Sequence, residues 1–294
     1  MEARPGPLLS LAHWASSADR RALLIIDEFN RGPAASIFGD TLALLDGSKR
    51  SDPARGVVGA SIRRPYPLAS MTVDGAYRDV SGGVEIGKAV SLPTALWIAA
   101  AMNSADRSVA PLDAALRRRF SIIHVGPDYD ALAHHLGLPA APESDPPALE
   151  AGSTEEERLT NTLVLAVRLL FRMNERVGSV LGPDFLLGHA LLWDVRRETS
   201  AEVLDALSEG FDERVAATLR LTFLDQDEVL AAVLNVPPPS EGGTGSPGGD
   251  PGRVARWRQP PPSVATIAPP RLELIEVSSL QDGDAKGRAL RSLL

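Results

Sequence analysis

The chain has 294 residues, with 30 Lys and Arg against 38 Asp and Glu, and a formal net charge of −8. So acidic a surface argues against gripping nucleic acid over a broad face, since phosphate affinity needs clustered Lys and Arg; the absence of cysteine excludes disulfides, thiolate zinc sites and cysteine nucleophiles. No stretch reaches the roughly 20 apolar residues of a membrane helix, and the N-terminus lacks an apolar core of signal-peptide length, so a soluble cytoplasmic chain without a membrane partner is the expectation.

Residues 1–21 read as a lead-in. ALLIID (22–27) is a short apolar run ending in an acid and flanked by charge, the pattern of a strand buried on both faces. A helix is expected over 34–45, where Ile37, Leu42 and Leu45 supply the apolar positions. Residues 47–93 are polar and rich in Gly and Arg, with strand-like pieces such as VVGASI, and read as a long surface insertion or hairpin. TALWIAAAM (94–102) is a second buried strand, DAALRRRF (113–120) a short helix and SIIHV (121–125) a third strand. This alternation predicts an α/β domain with a parallel sheet over 22–138.

A Pro-, Ala- and acid-rich joint covers 139–154. Ser153 or Thr154 can cap a helix whose first turn holds Glu155, Glu156 and Glu157, acids at the positive helix end. Leu159, Leu163, Val167 and Leu170 follow at helical spacing, and further helices over 201–209 and 212–235 complete a small all-α unit at 155–236. Pro/Gly/Ser low complexity over 237–270 predicts a disordered linker. In the tail, 271–294, RLELIEVSS alternates weakly and reads as a short strand or a docking peptide.

Two segments carry chemistry. LLIIDEFNRG (23–32) ends a strand in adjacent carboxylates, which puts Asp27 and Glu28 at the carboxyl edge of a parallel sheet, where ligands of open α/β sheets bind. One acid of such a pair suits holding Mg²⁺ through water, and the other suits polarising an attacking water. The plain alternative is a strand end facing solvent. AAAMNSADRSVAPLDAALRRRF (99–120) ends a second strand in Asn103, whose amide can orient water or touch a terminal phosphate, and then delivers Arg117, Arg118 and Arg119, guanidiniums suited to spreading negative charge. The alternatives here are a turn-capping amide and a solvated basic turn.

Together IIDEFNRG, SIFGDTLALLDGSKR, MNSADRS and LDAALRRRF resemble the McrB branch of AAA+ ATPases, and LGPDFLLGHALLW (181–193) is similar to a segment of that family's helical lid. The resemblance covers about residues 20–236. It implies a partial P-loop NTPase core followed by a lid. By that resemblance Asp27 is the Mg²⁺-side acid of Walker B, Glu28 the catalytic base, Asn103 sensor 1, and Arg118 or Arg119 the finger that reaches a neighbouring subunit's nucleotide. Asn103 and Asp106 stand where the branch has an Asn-Thr-Ala-Asp motif linked to guanine nucleotides; Ser104 replaces its second residue, so ATP is implied with GTP as the alternative. Gly188 and His189 occupy lid positions where a second sensor would be sought, but His189 is not an arginine and a structural role is expected. The resemblance further implies assembly with itself or with homologues in a hexameric ring, a partner nuclease subunit, and DNA reached only through the assembly.

The family's phosphate-binding loop, GxxxxGK[ST], precedes Walker B, and the stretch before Asp27 holds no such loop. GGVEIGK (82–88) fits the spacing but is a decoy: Ala89 replaces the Mg²⁺-ligating hydroxyl, the order is reversed, and Pro93 leaves little room for a following helix. By the resemblance, the missing strand lies between that ending in Asn103 and SIIHV. The expectation is therefore a truncated or split ATPase, weakly active alone and completed by a loop-bearing partner. One alternative is a non-catalytic subunit offering Arg118 and Arg119, or scaffold contacts, to an active partner. Another is a metal-dependent hydrolase built on Asp27, Glu28, His134 and His135, which is disfavoured because adjacent helical residues point about 100° apart. Arg63 and Arg64 in the insertion are candidates for local DNA contact, with a solvated charge pair as the plain reading.

Overall fold

The computed structural model describes residues 6–17, 19–63, 89–103, 112–147, 153–238 and 252–294. It divides into two units, Met1–His124 and Val125–Leu294.

In the first unit, α1 (Pro7–Trp14) opens with a proline at a position where a missing N–H is tolerated. Ala12 and Ala15, both buried, pack its end against the sheet side of the core, so the expected lead-in is an integral helix. β1 (Ala22–Ile26) pairs in parallel with β4 (Leu96–Ala100), in register from Ala22 opposite Leu96 to Ile26 opposite Ala100. Between them lie α2 (Ala34–Phe38) and the short antiparallel pair β2 (Ile62–Arg63) and β3 (Ala89–Val90). After β4 comes α3 (Ala114–Arg117). The helix expected over 34–45 stops at Phe38: Gly39 takes a positive φ of 49°, and a 3₁₀ stretch, Gly39–Leu45, continues the chain. Of the expected apolar positions Leu45 is buried and Leu42 packs on the core, but Ile37 is 73% exposed, and Phe38 and Leu44 reach the core instead.

One face of the sheet, carrying Leu24 and Ile98, packs on Phe29, Phe38, Leu44, Leu92 and Leu116. The opposite face is bare: Leu23, Ile25 and Trp97 are 55%, 69% and 70% exposed. Burial on both faces, expected from the apolar runs, therefore holds for neither strand. SIIHV is likewise corrected. Residues 121–128 form no strand, and Ile123 and Val125 are 83% and 91% exposed. An apolar segment becomes a buried strand only when a neighbour meets its N–H and C=O groups, and the described residues supply none.

The second unit begins earlier than the joint at 139–154 suggests. α4 (Tyr129–Leu136) buries Leu132, Ala133 and Leu136 in the helical core, not in the α/β one. α5 (Glu155–Leu181) starts with a reciprocal cap: the Glu157 N–H donates to Thr154 Oγ1, and the Thr154 N–H donates to the Glu157 carboxylate. Its buried residues include Leu163, Val167, Leu170, Met173 and Val177. α6 (Ser200–Gly210), a π-helical segment (Phe211–Ala216), α7 (Ala217–Thr222) and α8 (Asp227–Val233) surround it. Arg168 and Asn174 are buried with partners from other segments. Arg168 meets Asp145 at 2.7 Å, and Asn174 exchanges two hydrogen bonds with the Leu187 backbone while donating to the Tyr129 hydroxyl at 3.0 Å.

The disordered-linker expectation for 237–270 fails over its second half. β5 (Ala255–Arg258) pairs antiparallel with β6 (Arg271–Leu274), so RLEL is a strand. Val254, Ala255, Val277, Leu290 and Leu293 enter the helical core, and α9 (Gly283–Arg291) packs on α6. Residues 239–251 lie outside the described residues. Proline and glycine dominate the composition there, but a few apolar anchors on either side suffice to dock the chain.

Candidate functional site

The carboxyl ends of β1 and β4 form one rim of the first unit. The Ala101 N–H donates to the Ile26 carbonyl, and the Phe29 N–H donates to the Ala101 carbonyl, each at 2.9 Å. In a regular parallel ladder the residue returning to Ala101 would be Glu28, so the chain carries one residue too many here. The excess is a bulge that loops Asp27 and Glu28 out of the ladder, and Glu28 absorbs it with a left-handed φ of 51°. Both acids are exposed. Asp27 Oδ1 accepts the Glu28 N–H at 2.9 Å, and the Glu28 carboxylate meets Arg31 Nε at 3.2 Å.

Asn103 follows β4 on the adjacent strand end. The Asn30 Nδ2 donates to its carbonyl at 3.1 Å, across 73 residues of sequence. Phe29 points inward and is buried; its ring meets Phe38 at 6.0 Å and Phe120 at 5.6 Å between centroids. This trio connects the acid loop, α2 and the arginine turn.

The three arginines have different environments. Arg117 Nε donates to the Leu112 carbonyl at 3.1 Å. Arg119 folds back: its Nη1 donates to the Ala115 carbonyl at 2.6 Å, its Nε is buried with no partner among the described residues, and its charge adds to those lowering the Asp46 carboxyl. Ser48, which donates to Asp46 from both side chain and backbone, is the larger cause. Arg118 is exposed, and its side chain makes no ion pair or hydrogen bond with the described residues.

Asp27, Glu28 and Asn103 thus share a rim, and Arg118 and Arg119 sit on a turn anchored to the same aromatic cluster. Asp106, Ser104, Arg64 and the decoy loop at 82–88 lie outside the described residues. Ala89, in the position of that loop's hydroxyl residue, opens strand β3 rather than a helix. Arg63 is exposed on β2. In the second unit His134 pairs with the Pro139 carbonyl at 2.7 Å, while His135 pairs with the Trp193 carbonyl at 3.0 Å and stacks on its ring. The two imidazoles have separate backbone partners, and among the described residues no group of three His, Asp or Glu side chains is placed to hold a metal. His189 Nδ1 accepts the Asp128 N–H at 3.0 Å, a structural engagement. Phe29 and Asn30 lie within the IIDEFNRG motif and Phe120 ends LDAALRRRF, but the motifs carried no role for any of the three.

A Mg²⁺ ion keeps several waters and takes one or two protein carboxylates together with substrate phosphates. Two exposed acids at a sheet rim fit that demand as far as this chain's own donors go. Among the described residues no helix is long and apolar enough to cross a membrane.

No protein-family model matches the chain. Among curated proteins it is similar to the type II restriction enzyme BsuMI component YdiS of Bacillus subtilis, at 34% identity over 118 residues, 40% of this chain and 31% of that protein. It is also similar to the type IV methyl-directed restriction enzyme EcoKMcrB subunit of Escherichia coli, at 25% identity over 172 residues, 58% of this chain and 30% of that subunit. The chain is a relative of the McrB branch, and the match spans about a third of each relative's length.

Proposed function

We propose that the chain is an AAA+ nucleoside-triphosphate hydrolase module of a restriction or defence assembly, and that its phosphate-binding loop comes from polypeptide outside these 294 residues. Asp27 holds Mg²⁺ through water, Glu28 activates the attacking water, and Asn103 orients that water or the terminal phosphate. ATP is the nucleotide, with GTP as the alternative. The assembly is a ring of this chain or its homologues, with a nuclease subunit and DNA as partners of the whole.

The observation that carries this reading is the rim itself: two carboxylates bulged out beside Asn103 at the carboxyl ends of two parallel strands. The bare face of Leu23, Ile25 and Trp97 supports it, because parallel sheets are covered on both faces. Among the described residues β4 pairs with β1 alone. A parallel strand added to its other edge delivers the loop that follows it to the same rim, since all parallel strands end on one side.

The test is to mix the chain with a strand–GxxxxGK[ST]–helix segment of a related ATPase and measure phosphate release from ATP and GTP. Hydrolysis that appears on mixing and disappears in Glu28→Gln, with nucleotide binding retained, supports the proposal. Hydrolysis indifferent to Glu28→Gln overturns it.

A second reading, a non-catalytic subunit that offers an arginine to an active partner, is favoured by one observation: Arg118 is exposed and uncommitted to the described residues, whereas Arg119 is turned inward. Under this reading Glu28→Gln is silent and Arg118→Ala abolishes stimulation of the partner.

A further inference from the structure

We infer that Asn30 is a positioning residue that sets the distance between the acid pair and Asn103. The inference rests on the hydrolase reading above and names a residue that reading does not use. Among the described residues, the last main-chain bond seen between the two strands is the Phe29 N–H on the Ala101 carbonyl. The next rung is made by a side chain: Asn30 Nδ2 reaches the Asn103 carbonyl at 3.1 Å. Asn30 therefore extends the ladder one step past the bulge, whose two sides are closed by the Ala101 N–H on Ile26 and the Phe29 N–H on Ala101. Asp27 and Glu28 are held between these two points, while Asn103 is held by the Asn30 rung. Without the Asn30 rung the bulge stays closed on Ala101, but the Asn103 carbonyl loses this tie to the strand that carries the acids.

The chemistry of the residue fits this task. An amide offers a donor and an acceptor on one short, stiff side chain. Its donor is spent on Asn103, and its Oδ1 is buried with no partner among the described residues. Phe29, the preceding residue, is anchored between Phe38 and Phe120, so the backbone from which Asn30 reaches is fixed.

The diagnostic variant is Asn30→Asp, which keeps size and acceptors but removes the donor. In the isolated chain the carbonyl carbon of Asn103 is followed by NMR, with thermal unfolding as the control for folding. A shift at Asn103, with the β4 carbonyls unmoved, is expected; an unmoved Asn103 carbonyl overturns the inference. In the mixed assembly described above, Asn30→Asp is expected to lower kcat roughly ten- to a hundredfold, the scale of an ångström-level misplacement, with KM within about twofold. Because Asn30 acts through Asn103, the double variant with Asn103→Ala is expected to be no slower than Asn103→Ala alone. An additive double variant, or a wild-type rate in Asn30→Asp, overturns the positioning role while leaving the hydrolase reading intact. A wild-type assembly that hydrolyses neither ATP nor GTP defeats the hydrolase reading itself.

Discussion

Phe29 and Phe120 meet with ring centroids 5.6 Å apart and planes inclined at 59°. One ring follows the acid pair directly and the other follows the arginine run directly, so a single apolar contact couples two charged segments 91 residues apart in sequence, as the difference of 120 and 29 gives. Charged segments cannot hold each other at a solvated rim, because exposed ion pairs contribute little. The aromatic contact does it from below.

Phe120→Ala is therefore expected to destabilise the first unit by about 2–3 kcal/mol, somewhat under the full cost of a core Phe→Ala because Phe120 is only partly buried. Amide hydrogen exchange should quicken at Arg118 and Arg119 before it does in β1. Phe120→Leu, which keeps most of the apolar volume, should recover most of the loss. Urea titration of the three proteins checks the order.

The left-handed Glu28 makes an opposing prediction. Its φ of 51° strains any side-chain-bearing residue, and its pairing with Arg31 is exposed on both sides. Glu28→Gly should relieve about 1 kcal/mol of strain and raise the unfolding temperature of the isolated chain, while removing the proposed base. A fall in stability would mean that the Arg31 contact outweighs the strain.

Much of this site was legible in the residues. ALLIID and TALWIAAAM are apolar runs of strand length that end in Asp27 and Asn103, and they do pair in parallel. What composition could not disclose was which faces are covered. The same apolar run describes a strand packed on both sides and one packed on a single side, so Leu23, Ile25 and Trp97 were assigned to a core that the described residues do not complete. SIIHV misled for the same reason: strand formation depends on a partner, which no local pattern encodes. At Ala255–Arg258 the error ran the other way, because Pro/Gly-rich surroundings masked four residues whose partner lies beyond them, at Arg271–Leu274. The bulge and the Asn30 rung arise from a one-residue mismatch between two strands, which is visible only when both are aligned.

In the helical unit, the pH dependence centres on Asp145. Hydrogen bonds from Arg172 and then Arg168 hold its carboxyl below the ordinary value of 3.8. A carboxylate with a lowered folded-state pKa adds stability that is present above its unfolded value and is lost as pH falls through the folded one. Asp145→Asn should therefore cost about 3 kcal/mol at pH 7, because Arg168 is left buried without its counter-charge. Wild type and variant should converge as the pH drops below 3.8. Denaturation midpoints measured from pH 7 downward test the sign.

Arg118 and Arg119 should separate in their effects. Arg119→Ala removes a hydrogen bond to the Ala115 carbonyl and a half-buried stem, so a loss of about 1 kcal/mol in stability is expected. Arg118→Ala removes no side-chain hydrogen bond or ion pair among the described residues and should leave stability within about 0.5 kcal/mol. In a mixed assembly it is Arg118→Ala that should slow hydrolysis. If Arg119→Ala slows it more at equal stability, the inward arginine turns out to be the one that reaches the nucleotide.

Trp97 offers a test of the bare face. It stands opposite Leu23 in the parallel register and is 70% exposed, the largest side chain on that surface. Covering a ring of that size contributes about 1.5–3 kcal/mol, equivalent to roughly ten- to a hundredfold in affinity. Trp97→Ser is thus expected to weaken binding of the loop-bearing segment by that factor, measured by calorimetry, while leaving the isolated chain as stable as before, because the ring packs on little there. The same change should reduce self-association of the isolated chain in sedimentation experiments, since an apolar face of this kind is an association hazard in water. Unchanged affinity in Trp97→Ser would mean that the added segment binds without covering this face, and the free edge of β4 would then have to account for binding alone.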